Sequence, residues 1–154
     1  MSDTPQFTAE PVPHIRVLAQ YAKRATFTSA DGIQTVGLKE APNIELGIDL
    51  QSVPLEGESN VFETILTLMG RAVVDGKAAF EVDLAYAGIF DLSGTPAEHV
   101  DRVLMIDCPQ LLFPFARRLV AELSREGGFP PLLIDPIDFP TLYRNQIEQN
   151  RSGS

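Results

Sequence analysis

Residues 61–86, VFETILTLMGRAVVDGKAAFEVDLAY, decide the fold. Two runs rich in β-branched and aromatic residues flank Asp75-Gly76. A two-residue type I′ turn needs positive φ at both central positions, which Asp and Gly accept, so the pair predicts a hairpin. Strand side chains alternate between faces. Phe62, Leu66 and Leu68 share one face of the first run. Ala78, Phe80, Val82, Leu84 and Tyr86 share one face of the second, with Glu81 and Asp83 on the other.

Toward the N-terminus, Ile44, Leu46, Ile48 and Leu50 alternate with Glu45, Gly47, Asp49 and Gln51, which predicts another strand. Pro54 ends it, and Glu56-Gly57-Glu58 forms a charged turn. Farther back, Ile15, Val17, Ala19 and Tyr21 keep one parity while His14, Arg16, Gln20 and Arg24 keep the other, as in a strand buried on one side. The pattern weakens over 26–30, and Asp31-Gly32 marks a turn. Residues 1–13 hold three prolines and few large apolar side chains, so a flexible arm is expected there. Four strands with short turns imply an antiparallel sheet with one wet face.

Toward the C-terminus the period changes. Thr95-Pro96-Ala97-Glu98 is a capping-box sequence with proline at the first helical position. A second helix start is expected at Cys108-Pro109, after which Leu112, Phe115, Leu119 and Leu123 keep helical spacing beside Ala116 and Val120. Pro114 cannot donate to the Gln110 carbonyl, so a kink is expected. Gly127-Gly128 stops the helix. Phe129-Pro130-Pro131 through Pro136 must be extended. Asp138 then caps a last helix with Phe139, Leu142, Tyr143 and Ile147 on one stripe. Residues 14–149 thus read as one α+β domain, a four-stranded antiparallel sheet packed with a long kinked helix and a C-terminal helix. Residues 150–154 are expected to be a frayed tail.

The chain has 154 residues, 44% of them hydrophobic and 21% charged, and can bury a core without metal or disulfide. A net charge of −9 argues against a nucleic-acid partner, since phosphate binding rests on Lys and Arg. The N-terminus has neither a basic nor an apolar leader region, so no secretory signal is expected. No apolar run approaches the ~18 residues a membrane span needs. With one cysteine, Cys108, no internal disulfide can form, which fits a reducing compartment; the cytoplasm is expected.

Catalytic chemistry finds no foothold. A Cys-His nucleophile needs an oriented base, and Cys108, His14 and His99 fall on separate elements. There is no CxxC, HExxH or EF-hand spacing, so no metal site is expected, and no Gly-rich phosphate loop suggests a cofactor. Glu56, Glu58, Asp135 and Asp138 fall at turns and caps. Phe80, Tyr86, Phe90, Phe113, Phe115, Phe139 and Tyr143 cluster on the last strand and the helices. Most are expected to be core. A two-layer unit also leaves an apolar face over, of the kind that marks self-association or a ligand groove.

Three stretches carry a family resemblance: Ala87-Gly88-Ile89-Phe90-Asp91-Leu92-Ser93-Gly94, Cys108-Pro109-Gln110-Leu111-Leu112-Phe113-Pro114-Phe115-Ala116-Arg117, and residues 126–139 (EGGFPPLLIDPIDF) followed by Leu142-Tyr143. In this order they resemble the signatures of the SecB protein-export chaperones over residues 87 to about 147. The resemblance implies a non-enzymatic, ATP-independent holdase. It implies a homotetramer built as a dimer of dimers, with unfolded precursor polypeptides lying in apolar grooves and passed to the motor SecA. By motif, Phe80, Phe90, Phe115, Leu142 and Tyr143 are the groove candidates, and Val82, Leu84 and Tyr86 serve packing and assembly. The first strand departs from the family, which reads Lys-Asp-(Leu or Ile)-Ser-Phe-Glu where this chain has Lys23-Arg24-Ala25-Thr26-Phe27-Thr28. Arg24 and Thr28 replace two acidic residues of the SecA-docking surface. Glu81 and Asp83 are left as SecA-contact candidates. The alternative is a holdase with a dedicated client and no handover to SecA.

Overall fold

The computed structural model describes residues 15–29 and 42–152. The expected N-terminal arm and the Asp31-Gly32 turn lie outside the described residues. Strands β1 (Arg16–Ser29), β2 (Asn43–Pro54), β3 (Val61–Val74) and β4 (Lys77–Asp91) form one antiparallel sheet in the order β1-β4-β3-β2. Asp75 and Gly76 have φ of 51° and 78°, the pair of positive values that the β3–β4 hairpin requires. β2 pairs with β3 without a register shift, and β1 pairs with β4. Successive strands β1 and β2 thus take opposite edges, because the hairpin offers one free edge on each side.

Alternation holds along β3 and fails in two places. On β1, register shifts between Val17 and Ala19 and between Ala22 and Arg24 insert extra residues. Val17 therefore lies opposite Phe90, while Ala19 and Tyr21 lie opposite Ile89 and Ala87 on the other face. The single parity expected from Ile15 to Tyr21 is broken by the first bulge. No residue of β1 is buried, contrary to the expected one-sided burial, because it is an edge strand. On β4, Ala85 and Ala87 are buried on the supposedly wet face. Small alanines of a central strand are covered by longer neighbours, here Tyr21 hydrogen-bonded to Glu63 and Lys23 paired with Glu63 at 3.0 Å.

One helical path covers the other face. A 3₁₀ turn (Ala97–His99) leads into a short helix α1 (Val100–Arg102), a π-helical turn (Val103–Asp107) and the long helix α2 (Cys108–Glu126). The expected second start at Cys108 is not a start: the backbone stays helical through Asp107 and Cys108, and a π turn absorbs the change of phase. Thr95 makes no cap bond. Its buried hydroxyl has no hydrogen-bond partner, and Pro96 takes the cap position.

Leu112, Ala116 and Val120 of α2 are fully buried against β3 and β4, with Leu66, Leu68, Leu84 and Phe90 beneath them. Full burial of each such Leu, Val or Phe side chain contributes about 1.5–3 kcal/mol. The layers meet closely at Gly88, where a Cβ would lie 2.8 Å from the Phe90 ring and 2.9 Å from Leu112. α2 ends in a Schellman motif: the Phe129 N–H donates to Ser124 C=O at 3.1 Å, the Gly128 N–H donates to Arg125 C=O at 3.0 Å, and Gly128 has φ 90°. An extended crossover over 130–138 then reaches α3 (Phe139–Ser152), which stays helical past Gln149 into the expected frayed tail. Asp138 caps α3 as expected, accepting from the Thr141 N–H at 3.1 Å and the Thr141 hydroxyl at 2.8 Å.

Candidate functional site

The long helix α2 lies over β3 and β4, and of the helical path it is the π-helical turn that packs on β2. The inner side chains of β2 are left facing the crossover and α3 across three adjoining clefts. The first, about 630 Å³, lies between Ile44, Leu46 and Ile48 and the crossover residues Leu132, Leu133 and Ile134, with Leu142 at its end. The second, about 350 Å³, shares Ile48 and Leu142 with it and adds Leu50, Met105 and Tyr143. The third, about 640 Å³, shares Leu50, Met105 and Tyr143 with the second and continues to Phe62, Leu104 and Ile147. Shared walls make one groove running the length of β2.

Large apolar side chains stand open to solvent along it, with Leu133 at 63% and Ile44, Leu46, Val53 and Leu142 between 41% and 44%. Among the described residues the lining includes four carboxylates, Asp49, Asp101, Asp135 and Asp138, and no Lys, Arg or His. Thr141 holds the Asp138 carboxyl below the usual carboxylate range. The groove wall is anchored from behind. The buried Ser124 hydroxyl donates to the carbonyls of Val120 and Ala121 and accepts the Leu132 N–H at 2.8 Å, tying the crossover to α2. Polar groups converge nowhere in the groove; its chemistry is that of a binding surface.

The residues singled out from the sequence fall in five places. Leu142 and Tyr143 line the groove. Phe90 is fully buried in the main core. Phe80 is buried in a second cluster with Phe27 and Phe129, its ring centroid 5.4 and 4.7 Å from theirs. Phe115 stands half exposed on α2, stacked on Tyr86 at 6.2 Å. Val82, Leu84 and Tyr86 form the buried inner face of β4. Glu81 and Asp83 lie on the opposite, outer face, where Arg71 pairs with Glu81 at 3.3 Å and Arg24 with Asp83 at 3.0 Å. Arg71, Glu81 and Asp83 line an outer depression of about 510 Å³ together with Thr26, Thr28 and Gly47.

Sequence reading passed over the β2 side of the groove, where Ile44, Leu46 and Ile48 read as ordinary core. Leu132-Leu133-Ile134 held a usable signal, since three successive apolar residues in an extended segment cannot all point inward. Cys108 is fully buried, and burial pushes its thiol up to about 12. His99 sits exposed beside Glu98. Among the described residues no group of His, Cys, Asp or Glu is placed to hold a metal ion, and no helix is long and apolar enough to cross a membrane.

Comparison with known proteins fits this arrangement. The SecB family, described as preprotein translocase subunit SecB, matches residues 8–150. The protein-export protein SecB of Hyphomonas neptunium is 46% identical over 139 residues, covering 89% of this chain and 81% of its own. That of Mesorhizobium japonicum is 41% identical over 143 residues, covering 92% and 84%. Among solved structures, a SecB-like chaperone of Mycobacterium tuberculosis in complex with a ChAD peptide from an antitoxin superposes with TM-score 0.65. It shares 14% identity and covers 80% of this chain and 91% of its own, a likeness of fold. With nearly the whole chain matched, this protein belongs to the SecB family, the chaperones of preprotein export.

Proposed function

We propose that this chain is an ATP-independent holdase of the cytoplasm that keeps preproteins unfolded for export and performs no catalysis. The observation that carries this reading is the open apolar groove along β2, whose exposed Leu133, Leu142, Ile44 and Leu46 offer burial to any extended apolar segment. Leu142 and Tyr143 are its client contacts. Phe80 and Phe90 act from beneath, by fixing the sheet against the helical layer. Phe115 stacked on Tyr86 gives α2 an apolar outer face for assembly of a homotetramer, with Val82 and Leu84 packed under the same helix. Capture of a permanently unfolded preprotein, measured by calorimetry, tests the reading. A Kd weaker than millimolar would sink it.

Handover to SecA is the second half of the proposal, and one observation favours its alternative. Both acidic candidates on the outer face are already held by arginines of the same protomer, Glu81 by Arg71 and Asp83 by Arg24. A basic docking segment would have to displace a guanidinium and then face it. Like charges so placed cost several kcal/mol. Titration with SecA or its basic C-terminal tail separates the two readings. Binding supports the export relay, whereas client capture without it supports a dedicated holdase.

A further inference from the structure

Resting on the reading of the outer sheet face as a docking surface, we infer that Arg24 sets the charge pattern this face accepts: a docking segment must carry a carboxylate beside its basic residues. A bulge on β1 places Arg24. The register shift between Ala22 and Arg24 sets Arg24 on the outer face opposite Ala85, a small buried residue of β4. The direct cross-strand neighbours of Asp83 and Glu81 on β1 are Thr26 and Thr28, which carry no charge. Arg24 therefore reaches diagonally to Asp83, a span that long side chains cover within a sheet. Its Nη2 donates to Asp83 Oδ1 at 3.0 Å, and 53% of the side chain stays exposed. A guanidinium has five N–H donors, so Arg24 can receive a second carboxylate. Lys23 beside it is committed elsewhere, since Glu63 accepts from both Lys23 and the Tyr21 hydroxyl.

Charge on this face is uneven. Glu45, Arg71 and Glu81 lie in one cross-strand row, with Arg71 3.3 Å from Glu81 and 4.0 Å from Glu45. One guanidinium between two carboxylates leaves a negative charge over, so this row can take a partner's cation and keep Arg71 paired. Arg24 and Asp83 cancel one to one. A purely basic segment covering both would compete with Arg24 for Asp83 and press its cations against a guanidinium losing its water. A segment with a carboxylate among its cations exchanges partners instead. Its cation takes Asp83, and its carboxylate takes Arg24 in the forked geometry that a guanidinium favours. The face thus selects mixed charge over a polycation.

The test uses the full chain and ten-residue peptides of Lys, Gly and Ser, too polar for the apolar groove, with one Glu moved through each position in turn. For at least one placement, replacing the Glu with Gln should weaken binding to the parent about fivefold. That loss would run against net charge, because the Gln peptide is the more basic and the chain carries −9. Arg24→Asp should reverse the order and prefer the Gln peptide. Lys77→Asp makes the same charge change at an exposed residue beside the Asp75-Gly76 turn and should keep the parent's order. Arg24 is exposed on an edge strand, so its replacement leaves the core intact. If the peptides bind but Glu gives no gain at any position, the inference falls and the docking reading stands. If Lys77→Asp reverses the order as Arg24→Asp does, net charge alone governs and the inference falls in the same way. If no peptide binds the parent or Arg24→Asp, the docking reading falls with it.

Discussion

Two apolar clusters lie between the sheet and the helical layer, and one is sealed while the other is open. At the Asp75-Gly76 end, Phe27, Phe80 and Phe129 pack ring on ring with Ala72 and Ala79. The Schellman turn of α2 closes over them, and Gly127 comes so near Phe27 that a Cβ would lie 2.1 Å from its ring. Along β2, by contrast, Ile48, Leu50, Leu142 and Tyr143 line a cleft of about 350 Å³ that the π-helical turn and α3 flank without closing. Aromatic content therefore does not mark a binding site in this fold. Openness follows from topology: α2 covers the two central strands and lands its cap beside β1, leaving β2 to the crossover and α3.

The sealed cluster should carry stability and the open one binding, and substitution can separate them. Phe80→Ala should cost about 3–5 kcal/mol of stability by urea unfolding, since it empties a buried aromatic site. Peptide affinity of the folded fraction should stay within about twofold; a comparable loss of affinity would make the two clusters one functional unit. Ser124→Ala leaves the Leu132 N–H without its acceptor behind the groove wall, at a cost of about 1–3 kcal/mol. This change should also weaken capture modestly, because it frees the crossover. Tyr143→Asp should do the reverse of Phe80→Ala. It puts a charge where an apolar client segment would lie and should weaken capture about tenfold, with little change in unfolding midpoint because Tyr143 is only partly buried. Intact capture would remove Tyr143 from the contact surface.

How much of this was legible in the sequence depended on whether a signal was local. The β3–β4 hairpin, the Gly127-Gly128 stop and the Asp138 cap were readable because each is set by two to four neighbouring residues. The bulges of β1 were not, since a bulge is specified by the partner strand: Val17 and Ala19 change faces only in relation to Phe90 and Ile89 of β4. The groove was half legible. Motif resemblance named Leu142 and Tyr143, but Phe80 and Phe90 share that resemblance and are buried, and only the strand order reveals that Ile44, Leu46 and Ile48 lie away from the long helix α2. Likewise, Arg24 could be seen as a lost acidic position, yet its pairing with Asp83 depended on the β1–β4 register.

A smaller test bears on the groove rim. Thr141 bonds hold the folded-state carboxyl of Asp138 below its ordinary value of 3.8, and Arg144 adds to the effect. A carboxylate with a depressed folded pKa contributes stability that is fully present above its unfolded value and fades as pH falls through the folded one. Asp138 should thus add to acid sensitivity below about pH 4, with its contribution fully present and independent of pH near neutrality. Asp138→Asn keeps an oxygen to accept from the Thr141 N–H but cannot titrate, so it should be slightly less stable than the parent at pH 7, with a flatter acid limb that brings the two together at low pH. The same variant removes a negative charge from the groove lining. If the acidic rim draws in cationic segments, a Lys-containing peptide should bind it more weakly at low salt and indistinguishably at high salt. A loss that ignores salt would instead assign Asp138 to holding the geometry of α3, with the rim charge inert.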